Sequence, residues 1–211
     1  MKKITLLLFL ALTSCGIEYD GETRLISETT VLDRNGNFLS GVEIKIRASN
    51  GSDEDIISNG FSDSYGNTRL IFAPPKNASL EITFSKEQSG YDTKSFHNVK
   101  ISDFDNFRLV MDEIILLKTD DVINLELQFE NSFTTNKTLF DSRIEGLISG
   151  RDFFNRDENF LGYPVQSNFS VAKNQTVVVH YTLIDQITDE KTEYLLPISI
   201  ENDNISQTIT Y

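Results

Sequence analysis

The 211-residue chain contains one cysteine, four prolines, two histidines and no tryptophan. A single cysteine excludes an internal disulfide, so packing alone must hold the fold together. The two histidines, His97 and His180, are far apart in the sequence, and neither has a compact group of metal-ligand or triad residues around it. The G-x-S-x-G, H-E-x-x-H and phosphate-loop motifs do not occur. These features favour a non-enzymatic protein.

Positive charge is also scarce. Nineteen basic residues stand against 32 acidic ones, which gives a net charge of −13. Such a chain repels phosphate backbones and anionic lipid headgroups, so we expect no nucleic-acid partner and no basic membrane-binding patch. After the first fifteen residues, no apolar run approaches the roughly 20 residues that a membrane-spanning helix needs.

The N-terminus has a different character. Lys2 and Lys3 precede the apolar run Ile4–Leu12, which leads through Thr13-Ser14 to Cys15. This order resembles the signal peptide and lipobox of bacterial lipoproteins. The resemblance implies that residues 1–14 are a cleaved signal, that Cys15 carries the lipid, and that the protein is anchored to the outer membrane. The alternative is a plain secretory signal followed by an incidental cysteine.

Residues 15–24 are predicted to form the lipidated tether. Glu18, Asp20 and Glu22 make this segment acidic. Acidic residues soon after a lipidated cysteine resemble the signal that sends some lipoproteins of Gram-negative bacteria to the cell surface. A solvated linker would have the same composition, so a periplasm-facing location and a cell-surface location both stay open.

The rest of the chain has the composition of a folded all-β protein. Fifteen Phe and seven Tyr supply apolar surface, and abundant Asn, Asp, Ser and Thr favour turns over helix interiors. Val42–Arg47 alternates strictly between apolar and charged residues, as a half-buried strand does. Further strands are predicted at 29–32, 56–61, 68–72, 80–84, 94–101, 107–117, 122–129, 165–171, 176–184, 192–200 and 205–211. We therefore expect two tandem antiparallel β-sandwich domains after the signal peptide.

Three segments of the first half share a family resemblance. Val31–Ile46, with its Asn35-Gly36 turn, Phe61–Phe72 and Ile82–Thr93 resemble, in this order, parts of the carboxypeptidase regulatory-like domain. Phe38 stands where that family commonly has proline. The resemblance covers about residues 26–117 and implies a transthyretin-like or immunoglobulin-like sandwich that acts as an accessory module without catalytic residues.

These patterns predict a first domain at 25–117 and a second at 118–211, with the boundary within 118–124. In the second half, Leu139–Ile148 is ambiguous between a strand and a short helix, and 150–162 is expected to be a loop. Pro197 interrupts a strand pattern, which predicts an edge position or a bulge because proline cannot donate to a ladder.

One loop carries the candidate ligand sites. Asp152, Asn155, Asp157 and Asn159 supply hard oxygen atoms at close spacing, which suggests a structural calcium ion, although Phe160 occupies the place of the EF-hand glycine. The alternative is an acidic turn without metal. No other cofactor is expected. The rings in the same loop could form a glycan- or peptide-binding surface, or they could plug the end of the sandwich: Phe153, Phe154, Phe160 and Tyr163.

The remaining polar residues favour structural roles. His97 is expected to be exposed on an edge strand, and His180 to be an ordinary strand side chain. The acid pairs Asp120/Asp121 and Asp157/Glu158 are sequence neighbours, and neighbours in a strand point to opposite faces, so solvated turns explain them better than paired catalysis.

The sequence therefore predicts a non-enzymatic lipoprotein of the cell envelope that serves as an adhesion, scaffold or ligand-binding module. Its expected partners are the membrane, through Cys15, and an envelope protein or a glycan. Two alternatives remain: an accessory subunit of an outer-membrane transport or secretion complex, and a carboxylate-dependent hydrolase with its site between the domains.

Overall fold

The computed structural model describes residues 16–132, 135–154 and 166–211. In these residues the regular structure is β-sheet apart from three 3-10 turns, so the all-β prediction is confirmed. The strands are β1 Glu18–Tyr19, β2 Leu25–Asp33, β3 Glu43–Ser49, β4 Glu54–Phe61, β5 Asn67–Phe72, β6 Pro75–Lys76, β7 Ser79–Ser85, β8 Lys94–Val99, β9 Arg108–Val110, β10 Ile114–Leu116, β11 Val122–Glu130, β12 Lys137–Glu145, β13 Gly150–Phe153, β14 Gln166–Ala172, β15 Gln175–Asp185, β16 Lys191–Ile200 and β17 Ile205–Thr210.

Two sheets form the first sandwich. One has the order β10-β2-β5, with β9 also paired to β2, and the other has the order β13-β8-β7-β3-β4. The alternation of β3 is as predicted, because Ile44 and Ile46 are buried while Glu43 and Lys45 are only half-buried on the other face. The inner residues of both sheets make one continuous apolar core, which includes Phe84.

A second core lies between two three-stranded sheets, with the orders β14-β11-β17 and β12-β15-β16. Leu125, Phe129 and Val179 are among its most deeply buried residues. The chain therefore builds two tandem sandwiches. The division at residue 117 stays a prediction, because β13 from the second half pairs with β8 of the first.

The structure corrects one strand prediction and one loop prediction, and it decides two open ones. The predicted strand 107–117 is two short strands, β9 and β10, both parallel to β2. Part of the expected loop 150–162 is strand β13. The ambiguous segment Leu139–Ile148 contributes to a strand, β12, rather than a helix. Pro197 lies in β16, at the edge of its sheet as described, which confirms the edge prediction.

Strand registers give the first sandwich two ends. Ser49 is paired with Glu54 and with Ser79, and β2 begins where β5 ends, so the loops 50–53, 73–78 and 100–107 lie together at what we call the proximal end. The turns 33–37 and 62–66 and the residues 85–90 lie at the opposite, distal end. The second sandwich follows β10, whose residues pair with the distal part of β2.

Two turns at the distal end repeat the same geometry. Asp33 and Asp63 each accept backbone N–H groups two and four residues ahead. The third residue after each aspartate is a glycine in the left-handed region, Gly36 at φ 80° and Gly66 at φ 72°. Both turns lie in segments that carry the family resemblance, and each aspartate organises its turn through its side chain.

The described residues of the tether lie against the first sandwich. Ile17 packs against its core, and β1 pairs with β6. The amide of Asp20 donates to the Pro74 carbonyl at 3.0 Å. The Tyr19 hydroxyl donates to Asp55 at 2.8 Å, and burial together with this hydrogen bond raises the pKa of Tyr19 to about 12. None of the described helical turns has the length and hydropathy of a membrane span.

Candidate functional site

Most of the predicted ligand-site residues lie outside the described residues. This holds for Cys15 and for Asn155, Asp157, Asn159, Phe160 and Tyr163. Phe153 is the last residue of β13, and Phe154 packs against the first core, as the end-plug alternative requires of that ring. The calcium and aromatic-surface predictions both stay predictions. In the part of the chain that the structure describes, no three His, Cys, Asp or Glu residues are placed to hold a metal ion.

Asp152 instead serves as the counter-ion of a buried lysine. Its Oδ2 lies 3.4 Å from Nζ of Lys94, whose side chain is only 9% exposed. Lys94 also donates to the Ile148 carbonyl at 3.2 Å and lies over the Phe96 ring. Burial lowers the pKa of Lys94, and the Asp152 carboxylate opposes that change. The pair therefore links the second half of the chain to the five-stranded sheet of the first sandwich.

A cavity of about 180 Å³ lies beside this pair, where the hydrolase alternative would need its site between the two halves. Glu113 and Asp152 both line it, together with Lys94. The volume is below the roughly 300 Å³ at which small-molecule sites begin, and Asp152 is already engaged by an ammonium group. The geometry therefore favours a structural junction over a carboxylate pair that works on a substrate.

The prediction for His97 is wrong. Its strand, β8, lies between β13 and β7, and the side chain is 18% exposed. Arg151 Nε donates to His97 Nε2 at 2.9 Å, and Glu81 lies 3.5 Å from Nδ1. Burial lowers the pKa of His97, Arg151 lowers it further, and Glu81 acts in the opposite direction. Sequence could not reveal this setting, because β13 comes from more than fifty residues away.

His180 lies in the central strand β15, as an ordinary strand side chain was expected to. Glu145 lies 2.9 Å from its Nε2, and Glu193 lies 3.3 Å from its Nδ1. Because the two carboxylates approach opposite ring nitrogens, they cannot join the histidine around one metal ion. This cluster cross-links three neighbouring strands.

A concave feature with an aromatic wall lies at the distal end, on the outer face of the five-stranded sheet. It has a volume of about 350 Å³ and lies within the size range of ligand sites. We call it the Phe61 groove. Its lining residues are Gly41, Glu43, Lys45, Phe61, Ser85, Lys86, Gln88 and Ser89.

Strand register explains why these residues meet. Phe61 ends β4 directly opposite Glu43 in β3, which in turn faces Ser85 in β7. Residues that pair directly across two antiparallel strands point to the same face of the sheet, and so do residues two apart in one strand. Phe61 therefore lies beside Glu43 and Lys45 on the solvent side. Phe61 is 66% exposed, so its ring forms an apolar wall of the groove.

The polar groups of the groove are partly organised. Lys45 Nζ lies 2.9 Å from a Glu43 carboxylate oxygen. Lys86 Nζ donates to the Ser40 carbonyl at 2.6 Å, which holds that side chain at the rim. Sequence analysis placed Phe61 in a strand but missed this site. No local signal reveals it, because a register shift at Ile57, which packs against the core, decides which face of β4 Phe61 occupies.

Comparisons with known proteins add little to this geometry. No protein-family model matches the chain, and no curated protein matches it. The shaft pilin SpaA of Lactobacillus rhamnosus GG is similar over 88% of this chain and 98% of its own, with 9% identity and a TM-score of 0.34. The tip fimbrial protein Mfa3 of Porphyromonas gingivalis is similar over 83% of this chain and 82% of its own, with 11% identity and a TM-score of 0.31.

The TIE protein of Bacillus anthracis is similar over 89% of this chain, with 14% identity and a TM-score of 0.31. The chain spans 34% of that protein's length. At such identities and TM-scores, a likeness does not carry a function from one protein to another. Function is therefore inferred from the groove and from the N-terminal sequence.

Proposed function

We propose that this protein is a non-enzymatic, lipid-anchored adhesion module of the outer membrane, and that it binds a saccharide in the Phe61 groove. The observation that carries the proposal is the 66% exposed Phe61 ring beside the Glu43–Lys45 ion pair. The ring gives the groove a rigid apolar contact surface that solvent can reach.

The chemistry of the groove suits a sugar. A pyranose ring presents a C–H face that packs flat on an aromatic ring, and its hydroxyl groups need donors and acceptors around the rim. Glu43 supplies acceptors, Lys45 supplies donors, and Gln88 supplies both. Because the groove is open along the sheet, it accommodates part of a longer chain. Bound calcium in the 152–159 loop stays a separate proposal.

The lipid anchor and the groove lie at opposite ends of the first sandwich in this proposal. Cys15 carries the acyl chains in this proposal, and residues 17–20 lie at the proximal end of the first sandwich. The groove lies at the distal end of the outer sheet face, so it is held away from the bilayer. A ligand on a neighbouring surface or in the surrounding glycan layer is then accessible, on whichever side of the outer membrane the protein faces.

The test is a saccharide-array screen of the full acylated chain in detergent micelles. We expect binding to a discrete set of glycans, lost in Phe61→Ala and kept in Phe107→Ala. Phe107 is a matched control because it is a similarly exposed phenylalanine at the opposite end of the sandwich. Equal binding by the two variants would move the site elsewhere, and no binding by any of the three would refute the saccharide proposal.

A second candidate is an accessory subunit of an outer-membrane complex. The observation that favours it is β16, a ten-residue strand at the edge of its sheet as described, with Leu195 exposed. Pro197 weighs against a continuous added strand, because it has no N–H to donate. Crosslinking in the intact envelope tests this candidate: stoichiometric protein partners that are lost in Cys15→Ala would support it.

A further inference from the structure

We infer that the proximal end of the first sandwich rests directly on the lipid surface, with Phe107 and Ile101 in contact with the bilayer interface. This inference rests on the acylation of Cys15 in the proposed function. It adds the orientation of the whole molecule and a second, non-covalent contact with the membrane.

Only a short segment separates the lipid from the folded domain. Ile17 packs against the first core, and two peptide units separate it from Cys15. Consecutive α-carbons are about 3.8 Å apart, so the α-carbon of Cys15 lies no more than about 7.6 Å from that of Ile17. A spacer that would let the domain float away from the bilayer has no room in this segment.

Residues 18–20 are also held against the first sandwich. β1 pairs with β6, and Asp20 is hydrogen-bonded to Pro74. The Tyr19–Asp55 hydrogen bond joins the same segment to β4. These contacts reach both the 73–78 loop and the proximal part of β4, so the acyl chains leave the protein at its proximal end.

The proximal end presents exposed apolar side chains. Phe107 is 61% exposed and Ile101 is also exposed, and both belong to the 100–107 loop. Asn106 and Phe107 are consecutive non-glycine residues in the left-handed region, at φ 49° and 67°. The turn is closed by the Arg108 N–H, which donates to the Asp105 carbonyl at 2.8 Å, and the Ile26 N–H donates to the Phe107 carbonyl at 2.9 Å. A strained but firmly held turn thus presents the ring outward.

Charge does not account for contact between the proximal end and the bilayer. Within residues 100–108 the charges of Asp103 and Asp105 balance those of Lys100 and Arg108. Other acidic residues give this end, like the chain as a whole, an excess of negative charge: Glu18, Asp20, Glu22 and Asp53. Electrostatic attraction to anionic lipids therefore does not hold it there, and a zwitterionic bilayer suffices. Aromatic and aliphatic side chains partition into the interface once the acyl anchor has placed them beside it.

The experiment exploits the single cysteine. Because acylation consumes the Cys15 thiol, Ser102→Cys introduces one reactive thiol between Ile101 and Phe107, and Ser64→Cys introduces one at the distal end. Both serines are exposed. Each variant of the acylated full chain is labelled with bimane and reconstituted in phosphatidylcholine vesicles with brominated acyl chains. We expect several-fold stronger quenching at position 102 than at position 64.

A further variant separates insertion from mere proximity. Ile101→Ser with Phe107→Ser in the Ser102→Cys background should lower the quenching while the protein stays bound to the vesicles. Intact mass of the same samples reports acylation of Cys15. Acylated protein with equal quenching at positions 102 and 64 overturns this inference alone. A chain that carries no acyl group on Cys15 overturns both the inference and the proposed anchor.

Discussion

The backbone of Gly66 lies directly against the carbonyl group of Val31. The Val31 amide donates to the Gly66 carbonyl at 2.8 Å, and a β-carbon on residue 66 would approach the Val31 oxygen far closer than the 3.0 Å that β-carbons essentially never breach. Gly36 occupies the equivalent place in the twin turn, where a β-carbon would meet nothing within 4 Å. The two turns therefore share a backbone geometry and differ in their surroundings.

This difference predicts unequal costs for the same substitution. Gly66→Ala should lower the free energy of unfolding by about 3 kcal/mol, because it combines a left-handed alanine with a steric clash. Gly36→Ala carries the left-handed cost alone and should lower it by about 1 kcal/mol. Denaturant unfolding of the two variants measures both values, and equal losses would show that the contact with Val31 does not constrain the turn.

His97 makes stability depend on pH. Because its pKa is lower in the folded protein than the usual 6.5, the unfolded chain binds more protons in the interval between the two values. Stability from this group is therefore complete above about pH 6.5 and is lost as the pH falls through the folded-state pKa.

The matched variant is His97→Gln, which retains an acceptor for Arg151 but does not titrate. The unfolding free energy of the wild type minus that of His97→Gln should be constant above pH 7 and should decrease below about pH 6.5. Subtraction removes the contribution of the groups that both proteins share. If the difference is flat down to pH 5, the burial of His97 against Glu81 and Arg151 does not perturb its titration.

Lys94 and Asp152 should be strongly coupled. Removing the carboxylate leaves a buried ammonium group without its counter-ion, so Asp152→Ala should cost about 2 kcal/mol, and much of that loss should disappear in a Lys94→Met background. The control is the exposed Arg47–Glu54 pair, whose cycle should give at most about 0.5 kcal/mol. Similar coupling energies for the two pairs would show that β13 is not held by this contact.

Sequence predicted the features that depend on local pattern. The alternation of Val42–Arg47 indicates a strand because one face of β3 is buried, and Pro197 indicates an edge because it lacks a donor. The pairing of β13 with β8 depends instead on contacts between residues more than fifty positions apart. No local property of Gly150–Phe153 distinguishes that strand from a loop.

The candidate site shows the same limit. Phe61 faces outward because of the register shift at Ile57, and its neighbours are set by the registers of β3, β4 and β7. The sequence therefore indicated a binding module and directed attention to the aromatic loop at 153–163. The groove became visible only once three strands were aligned.

Titration calorimetry of a glycan identified in the array measures the contact between Phe61 and the saccharide. Loss of one aromatic stacking contact of about 1.5 kcal/mol raises the dissociation constant roughly tenfold. We therefore predict about that increase for Phe61→Ala and no change for Phe107→Ala. A dissociation constant for Phe61→Ala equal to that of the wild type would show that Phe61 does not contact the saccharide.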